Sequence, residues 1–317
     1  MATDKPGYTL VESLQDAHID SINCLAFNPT GTYFASGAND GTVCVFSTDN
    51  TSELRRYQSD SAVDAIVWDG RYERTLLVGD RSGDVHTIRI GSSIVYCLTK
   101  SPQVDDRKWR EHVSGGSIYA MAARGLLLAI SCGNNVHLVR AGAPSSWTSQ
   151  SILIAPPTFP ELAEPLSPPV ASCLQFLTNE MLLVTYVEHG IVAYSPVHLD
   201  IIWQIRPRTC RIGASHAFGD KIVASNLYDG LDWYLIQQTM FGAPTRLTHT
   251  TSITLDLKEN VILPVKYIHG GAAVLVGGTN GAARIFNTID GSRHQLLSHN
   301  DGRPNIITFS PSLHFQY

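Results

Sequence analysis

The sequence holds the three residue types of a hydrolytic triad near its amino terminus. His18, Ser36 and Asp40 lie close together in the chain. Such residues can act as general base, nucleophile and orienting carboxylate when a fold brings them into hydrogen-bond contact. The Gly-x-Ser-x-Gly turn that presents the serine in many hydrolases does not occur in this sequence. We therefore interpret the three residues as a structural hydrogen-bond network, and we predict that the protein is not an enzyme.

A second group of residues could bind anions. Seven arginines and a tryptophan fall in segments that the sequence predicts to be turns or loops. They are Arg81, Arg107, Trp109, Arg110, Arg206, Arg208, Arg211 and Arg303. Arginine and tryptophan are enriched at binding hot spots, and a guanidinium group can hold a carboxylate or phosphate through two hydrogen bonds. The pattern predicts a groove for an acidic or phosphorylated peptide, and an ordinary solvated surface is the alternative.

Motifs for cofactors and metals are missing. The glycine pairs lack the Gly-x-Gly-x-x-Gly or Gly-Lys-Ser/Thr context of a phosphate-binding loop. The six cysteines form no Cys-x-x-Cys pair, so a zinc site is not expected. They fit small buried residues in a reducing compartment. We expect neither a cofactor nor a metal ion.

Composition limits the class of protein and of partner. The chain has 317 residues, of which 44% are hydrophobic and 16% charged, with 25 glycines and 16 prolines, as in a protein of strands and turns. A formal net charge of −5 argues against nucleic-acid binding. No apolar run reaches the roughly 18–20 residues of a membrane helix, and the start lacks an apolar signal region. We expect a soluble intracellular protein, cytoplasmic or nuclear.

The elements that would position these residues are short strands. Between His18 and Phe46 three strands are legible, and Asp40-Gly41 supplies a tight turn between the second and third. Similar turn signals recur at Gly83, Asn135, Gly190, Gly230 and Gly281. The spacing of roughly 40–55 residues is that of a repeat protein whose small sheets stack on one another.

This rhythm predicts a series of small antiparallel sheets. The approximate ranges are 18–58, 61–99, 117–154, 170–205, 213–257 and 262–297, with a seventh, incomplete unit at 299–317 and a strand at 9–14. We interpret the chain as one domain. Within the second unit, a strand is expected at 94–99, followed by a polar loop that contains Arg107 to Arg110.

The first unit resembles a WD repeat, the building block of β-propeller blades. The family places a His before the first strand, a Ser or Thr at the end of the second, an Asp in the next turn and Trp-Asp at the end of the third. These positions hold His18, Ser36, Asp40 and Phe46-Ser47, so the hydrogen-bonding trio is present and the tryptophan is not. The chain is similar in its divergence to uncharacterised fungal WD-repeat proteins. The resemblance implies an all-β, seven-bladed propeller of the WD40 type whose last blade is incomplete.

The resemblance also implies a function. WD propellers are mostly non-catalytic scaffolds that dock proteins or peptides on the top face, where inter-blade loops and the turns between second and third strands meet. The arginines and Trp109 would lie on that face. Two alternatives stay open: a propeller hydrolase or glycosidase with carboxylates at the mouth of the channel, and a carbohydrate-binding propeller.

Overall fold

The fold consists of short antiparallel strands joined by tight turns. The computed structural model describes residues 7–9, 12–14, 16–91, 109–113, 116–141, 147–158, 167–206, 208–209, 211–238, 244–257, 261–279 and 282–298. These residues form six four-stranded sheets, and in each sheet the strands follow one another in chain order. We call the sheets blades one to six. No helix in this described part has the length and hydropathy to cross a bilayer.

The strands fall into six successive sets of four. Blade one holds β1 (Ile22–Phe27), β2 (Tyr33–Ala38), β3 (Thr42–Ser47) and β4 (Glu53–Gln58). Blade two holds β5 (Val63–Trp68), β6 (Thr75–Asp80), β7 (Asp84–Arg89) and β8 (Trp109–His112). Blade three holds β9 (Ile118–Arg124), β10 (Leu127–Cys132), β11 (Asn135–Ala141) and β12 (Trp147–Ile152). Blade four holds β13 (Ala171–Thr178), β14 (Met181–Tyr186), β15 (Gly190–Tyr194) and β16 (Ile201–Ile205). Blade five holds β17 (Ser215–Phe218), β18 (Lys221–Ser225), β19 (Gly230–Gln238) and β20 (Pro244–Thr254). Blade six holds β21 (Val265–Ile268), a 3-10 turn (His269–Gly271), β22 (Ala273–Val276), β23 (Ala282–Asn287) and β24 (Arg293–Ser298).

Apolar side chains between adjacent blades form the core. Between blades one and two, Val43 and Val45 pack with Val63 and Val78, and the indole of Trp68 donates a 3.0 Å hydrogen bond to the Ala26 carbonyl. Equivalent buried clusters lie at the next four blade junctions. Both faces of each middle blade are therefore covered, which explains why their second and third strands read as nearly continuous apolar runs.

The end blades each have a face that does not belong to one of these junctions. On blade six, Ile268, Leu275 and Ile285 form a separate cluster, against which Tyr8 packs. On blade one, the rings of Phe27, Phe34 and Phe46 stack in series, at centroid distances of 5.5 Å and 4.9 Å. Within the described residues, β21 and β1 have no contact comparable with those between the innermost strands of successive blades.

The number of blades differs from the prediction. The sequence predicted seven, whereas the described residues form six, one for each of the six turn signals. The seventh rested on residues 299–317, which lie outside the described part of the chain. The predicted N-terminal strand at 9–14 is also wrong for the residues described there, since Thr9 and positions 12–14 have no strand pairing. Instead, Tyr8 is held by its backbone, which exchanges hydrogen bonds of 2.7 Å and 2.8 Å with the Gln295 side chain.

The outer strand of blade two is also shifted. We predicted a strand at 94–99, which lies outside the described residues, and a loop around Arg107 to Arg110. The structure pairs Trp109–His112 with Asp84–Thr87 as the fourth strand. The apolar run at 94–99 predicts a strand, but the edge position accepts any extended segment that can pair with β7, including a charged one. Trp109 and Arg110 are therefore strand residues and not loop residues.

Candidate functional site

The three residues with triad chemistry meet at one end of blade one. His18 Nε2 lies 2.6 Å from Ser36 Oγ, and its Nδ1 contacts the Thr42 hydroxyl. The Asp40 carboxylate accepts hydrogen bonds from the backbone N–H groups of Ile19 and Thr42, at 2.9 Å and 2.8 Å. Thr42 thus lies between His18 and Asp40, and the His18 Nδ1 and Asp40 Oδ1 atoms are 3.9 Å apart. The network ties the segment before β1 to the β2–β3 turn.

The protonation states fit this structural role. Burial is the main cause that lowers the pKa of His18, which keeps the imidazole neutral at pH 7. Burial alone would raise the pKa of Asp40, but hydrogen bonds from Thr42 and Ile19 outweigh it and hold that pKa below its ordinary value. The side chains of His18 and Asp40 are 2% and 7% exposed, so they are shielded from any substrate. A satisfied buried network of this kind makes a loop rigid.

Blade two has a denser network that includes residues beyond the family's trio. Asp80 lies at the end of β6, and its carboxylate oxygens accept hydrogen bonds from Ser59 Oγ at 2.7 Å and His86 Nε2 at 2.8 Å. Ser82 donates to it through both its backbone and its hydroxyl, and the Asp84 N–H adds a further bond at 3.0 Å. Although burial opposes ionisation, these bonds hold the pKa of Asp80 far below its ordinary value.

This cluster has the donor set of a metal site and the residue types of a triad. The ligand atoms of Asp80, Asp84 and His86 lie within 4.8 Å of one another. Asp84 accepts bonds from Ser82 and His112, and His86 Nδ1 lies 3.1 Å from the Tyr57 hydroxyl. Each of these ligand atoms therefore has a hydrogen-bonding neighbour, and the single proton of the Ser82 hydroxyl is shared between Asp80 and Asp84. His86 also turns the same nitrogen to both Ser59 and Asp80, so it cannot relay a proton between them.

A third network anchors the turn of blade five. The carboxylate of Asp232, which is fully buried, accepts hydrogen bonds from Ser252 at 2.6 Å and from Arg208 Nε at 3.0 Å. Arg208 also reaches Asp229, and the Asn226 amide joins the two carboxylates. Arg208 precedes blade five in the chain, so this ion pair fixes the loop that joins blades four and five.

Three of the candidate arginines, Arg81, Arg208 and Arg211, lie at the end of the blades where the networks lie, and the structure pairs them with acidic residues. Arg81 forms a 2.7 Å ion pair with Asp64, and Arg211 a 2.8 Å ion pair with Glu188. Their side chains remain 49% and 61% exposed. Arg206 is exposed, but it is not a free group, because it too has an interaction partner within the protein. Arg107 and Arg303 lie outside the described residues. An anionic partner at this face would have to share these guanidinium groups with the acidic residues of the chain.

Comparisons with known proteins agree with the fold. A sequence model of the family described as "WD domain, G-beta repeat" matches residues 8–47. The β-propeller domain of Cps50 (Swd1) from Myceliophteria thermophila superposes with a TM-score of 0.68 over 88% of this chain and 87% of that one. The described residues therefore have a β-propeller fold, and residues 8–47 match a WD repeat. The two propellers share only 15% sequence identity, so the likeness establishes the fold alone. A search of curated protein sequences finds no match.

Partial signals in the sequence mark the network residues that lie beyond the predicted trio. His86 lies between valine and threonine in a buried strand, where a histidine requires hydrogen-bond partners. Asp232 interrupts an apolar strand in the same way, as does Arg284 in β23. A charged residue within an otherwise apolar inner strand is thus the signal that could have identified all these positions.

Proposed function

We propose that this propeller is a non-catalytic scaffold that docks protein or peptide ligands on its top face. WD40 propellers are typically protein-interaction scaffolds, and the face with the inter-blade loops is where this chain has its partly exposed arginines. The observation that supports the proposal best is that Arg81 and Arg211 are held in place by carboxylates while about half of each side chain faces solvent. Preorganised guanidinium groups lose little conformational freedom when they bind.

The chemistry of this face favours acidic or phosphorylated segments. A ligand carboxylate or phosphate can add to the guanidinium edges that Asp64 and Glu188 leave open. The buried networks around Asp40, Asp80 and Asp232 fix the turns and loops from which these arginines project. The enzyme alternative finds no support in the same networks, because their groups are buried and engaged with one another.

A capture experiment tests the top face. Tagged protein is purified from cells with its partners, which are quantified by mass spectrometry, and compared with the double variant Arg81→Gln, Arg211→Gln. We expect the variant to lose specific partners at least tenfold. The matched control is Arg74→Gln, Arg124→Gln, because both residues are exposed at the opposite end of their blades. Identical partner lists for wild type and the first variant would contradict the proposal.

We also propose a seventh position in the ring, filled at least in part by residues 299–317. Support comes from the apolar faces of blades one and six that no neighbouring blade among the described residues covers, since such faces need a packing partner. Deletion of residues 299–317 is then expected to lower the melting temperature by several degrees and to increase the fluorescence of a hydrophobic dye. Unchanged melting and dye binding would show that these residues do not complete the ring.

A further inference from the structure

A cleft on the side of the propeller lies between the outer parts of blades five and six. Its volume is about 610 Å³, within the range of roughly 300–1,000 Å³ of small-ligand sites. We call it the five–six cleft. The lining residues are Thr254, Leu255, Asp256, Arg284, Phe286, Arg293 and Leu296. None of the arginines predicted for the top face belongs to this set.

Arg284 is the unusual residue of the five–six cleft. It lies in β23 between Ala283 and Ile285, and only 7% of the residue is exposed to solvent. Its Nη1 is buried without a hydrogen-bond partner, and within the described residues no carboxylate pairs with the guanidinium. A buried charge without a partner costs several kcal/mol. The arginines of the top face avoid that cost through their ion pairs, whereas Arg284 does not.

The charges around Arg284 favour an anion. Arg293 is exposed, and it lines the same cleft from β24. Asp256 is also exposed and supplies the opposing charge, so the lining residues have two positive groups and one negative. A ligand anion that reached Arg284 would gain its hydrogen bonds in a partly dry site, where they are stronger than in bulk water.

The remaining walls are apolar. Leu255 and Phe286 are buried, whereas Leu296 is 44% exposed. These walls suit a ligand that combines an anionic group with an apolar part, as the side chains of a peptide do. They suit nucleic acid poorly, and so does the net charge of −5.

We propose that the five–six cleft binds an anionic side chain, carboxylate or phosphate, of a partner polypeptide. Arg284 binds the anion at the base, Arg293 binds it from the exposed side, and Phe286 and Leu296 contact the adjoining apolar group. The inference rests on the proposed function as a protein-binding scaffold, but it places one recognition site on the side of the propeller. Neutralisation of Arg284 by the ligand would be the main source of affinity.

Small probes test the cleft without knowledge of the partner. Binding of phenyl phosphate, phenylacetate and neutral benzyl alcohol to the purified full chain is measured by calorimetry. We expect at least one of the two anions to bind at least ten times more tightly than benzyl alcohol. The preferred anion then indicates whether the natural group is a phosphate or a carboxylate. Equal binding of all three probes, or none, would overturn the proposal.

Variants assign the binding to Arg284. Arg284→Met keeps most of the volume and removes the buried charge, so it should fold, and it should weaken anion binding at least tenfold. Arg293→Gln changes an exposed residue and should weaken binding severalfold, which provides a second test if Arg284→Met fails to fold. The matched control is Arg74→Met, an exposed residue of blade two outside both proposed sites, with unchanged affinity. Equal anion affinity in wild type and both cleft variants would exclude the site.

Partner capture separates the two proposals. If Arg284→Met loses partners that Arg81→Gln, Arg211→Gln retains, the cleft is a recognition site and the top-face assignment is wrong for those partners. If only the top-face variant loses partners and the cleft variants bind the probes like wild type, the inference about the cleft fails and the scaffold function stands.

Discussion

Replacement of Asp80 by alanine is expected to lower the free energy of unfolding at pH 7 by about 3 kcal/mol or more. The change removes the acceptor for Ser59, Ser82 and His86, of which Ser59 and His86 are buried. Removal of a buried charged acceptor from its hydrogen-bonded partners costs roughly 3–5 kcal/mol. We place the effect at the lower end because the substitution also relieves the repulsion between Asp80 and Asp84, which share the Ser82 hydroxyl.

The effect of Asp80 should depend on pH in a defined direction. The pKa of Asp80 in the folded chain lies below its ordinary value of about 3.9, so its charged form stabilises the folded state. That stabilising contribution is complete at pH values above the ordinary pKa of an aspartate, and it declines as the pH falls below that pKa. The difference between wild type and Asp80→Ala in urea unfolding should therefore narrow below about pH 4. Asp49→Ala, at an exposed turn, is the matched control and should change stability by less than about 0.5 kcal/mol. A variant difference that is constant down to pH 3 would contradict the assignment.

Local sequence patterns are sufficient to predict the inner hairpins of each blade. The turns at Gly41, Gly83 and Gly190 required a positive φ, and each has one, at 79°, 86° and 77°. Such signals identify hairpins because they depend only on neighbouring residues. The outer strands were less predictable, as blade two shows, since an edge strand has one partner and little burial to constrain its sequence. The number of blades depends on how the ring closes, which no local pattern determines.

The candidate site was predicted less well for a related reason. The sequence shows that Arg81 and Arg211 are charged and near turns, but Asp64 and Glu188 pair with them from other strands and loops. Whether an arginine is already neutralised therefore depends on tertiary contacts. The same holds for Arg284, whose lack of a partner is visible only when blades five and six are packed together.

Replacement of Gly230 by alanine is expected to destabilise the protein as strongly as any single change considered for the fold. Gly230 begins β19 with a φ of 154°, and an added Cβ would lie 2.0 Å from the Ile253 carbonyl oxygen and 2.9 Å from the Leu255 nitrogen. Both atoms are backbone, so the strand end from Ile253 to Leu255 would have to move. Strain at such a φ costs about 1–3 kcal/mol, and overpacking adds about 1–3 kcal/mol. We expect a loss of at least about 3 kcal/mol.

The position of Gly230 makes the consequence functional as well as structural. The backbone carbonyl of Asp229 accepts a hydrogen bond from the Leu255 N–H, and Leu255 also lines the five–six cleft. Displacement of this segment should weaken anion binding in whatever fraction of Gly230→Ala remains folded.

Gly219→Ala is the matched control, because Gly219 also has a positive φ, 61°, but an added Cβ would meet no atom within 4 Å. This substitution should lower the free energy of unfolding by only roughly 1–2 kcal/mol, which is the strain of an alanine in left-handed backbone geometry. Chemical unfolding followed by tryptophan fluorescence compares the two, and equal losses would show that the close approach of Ile253 to Gly230 does not constrain the turn of blade five.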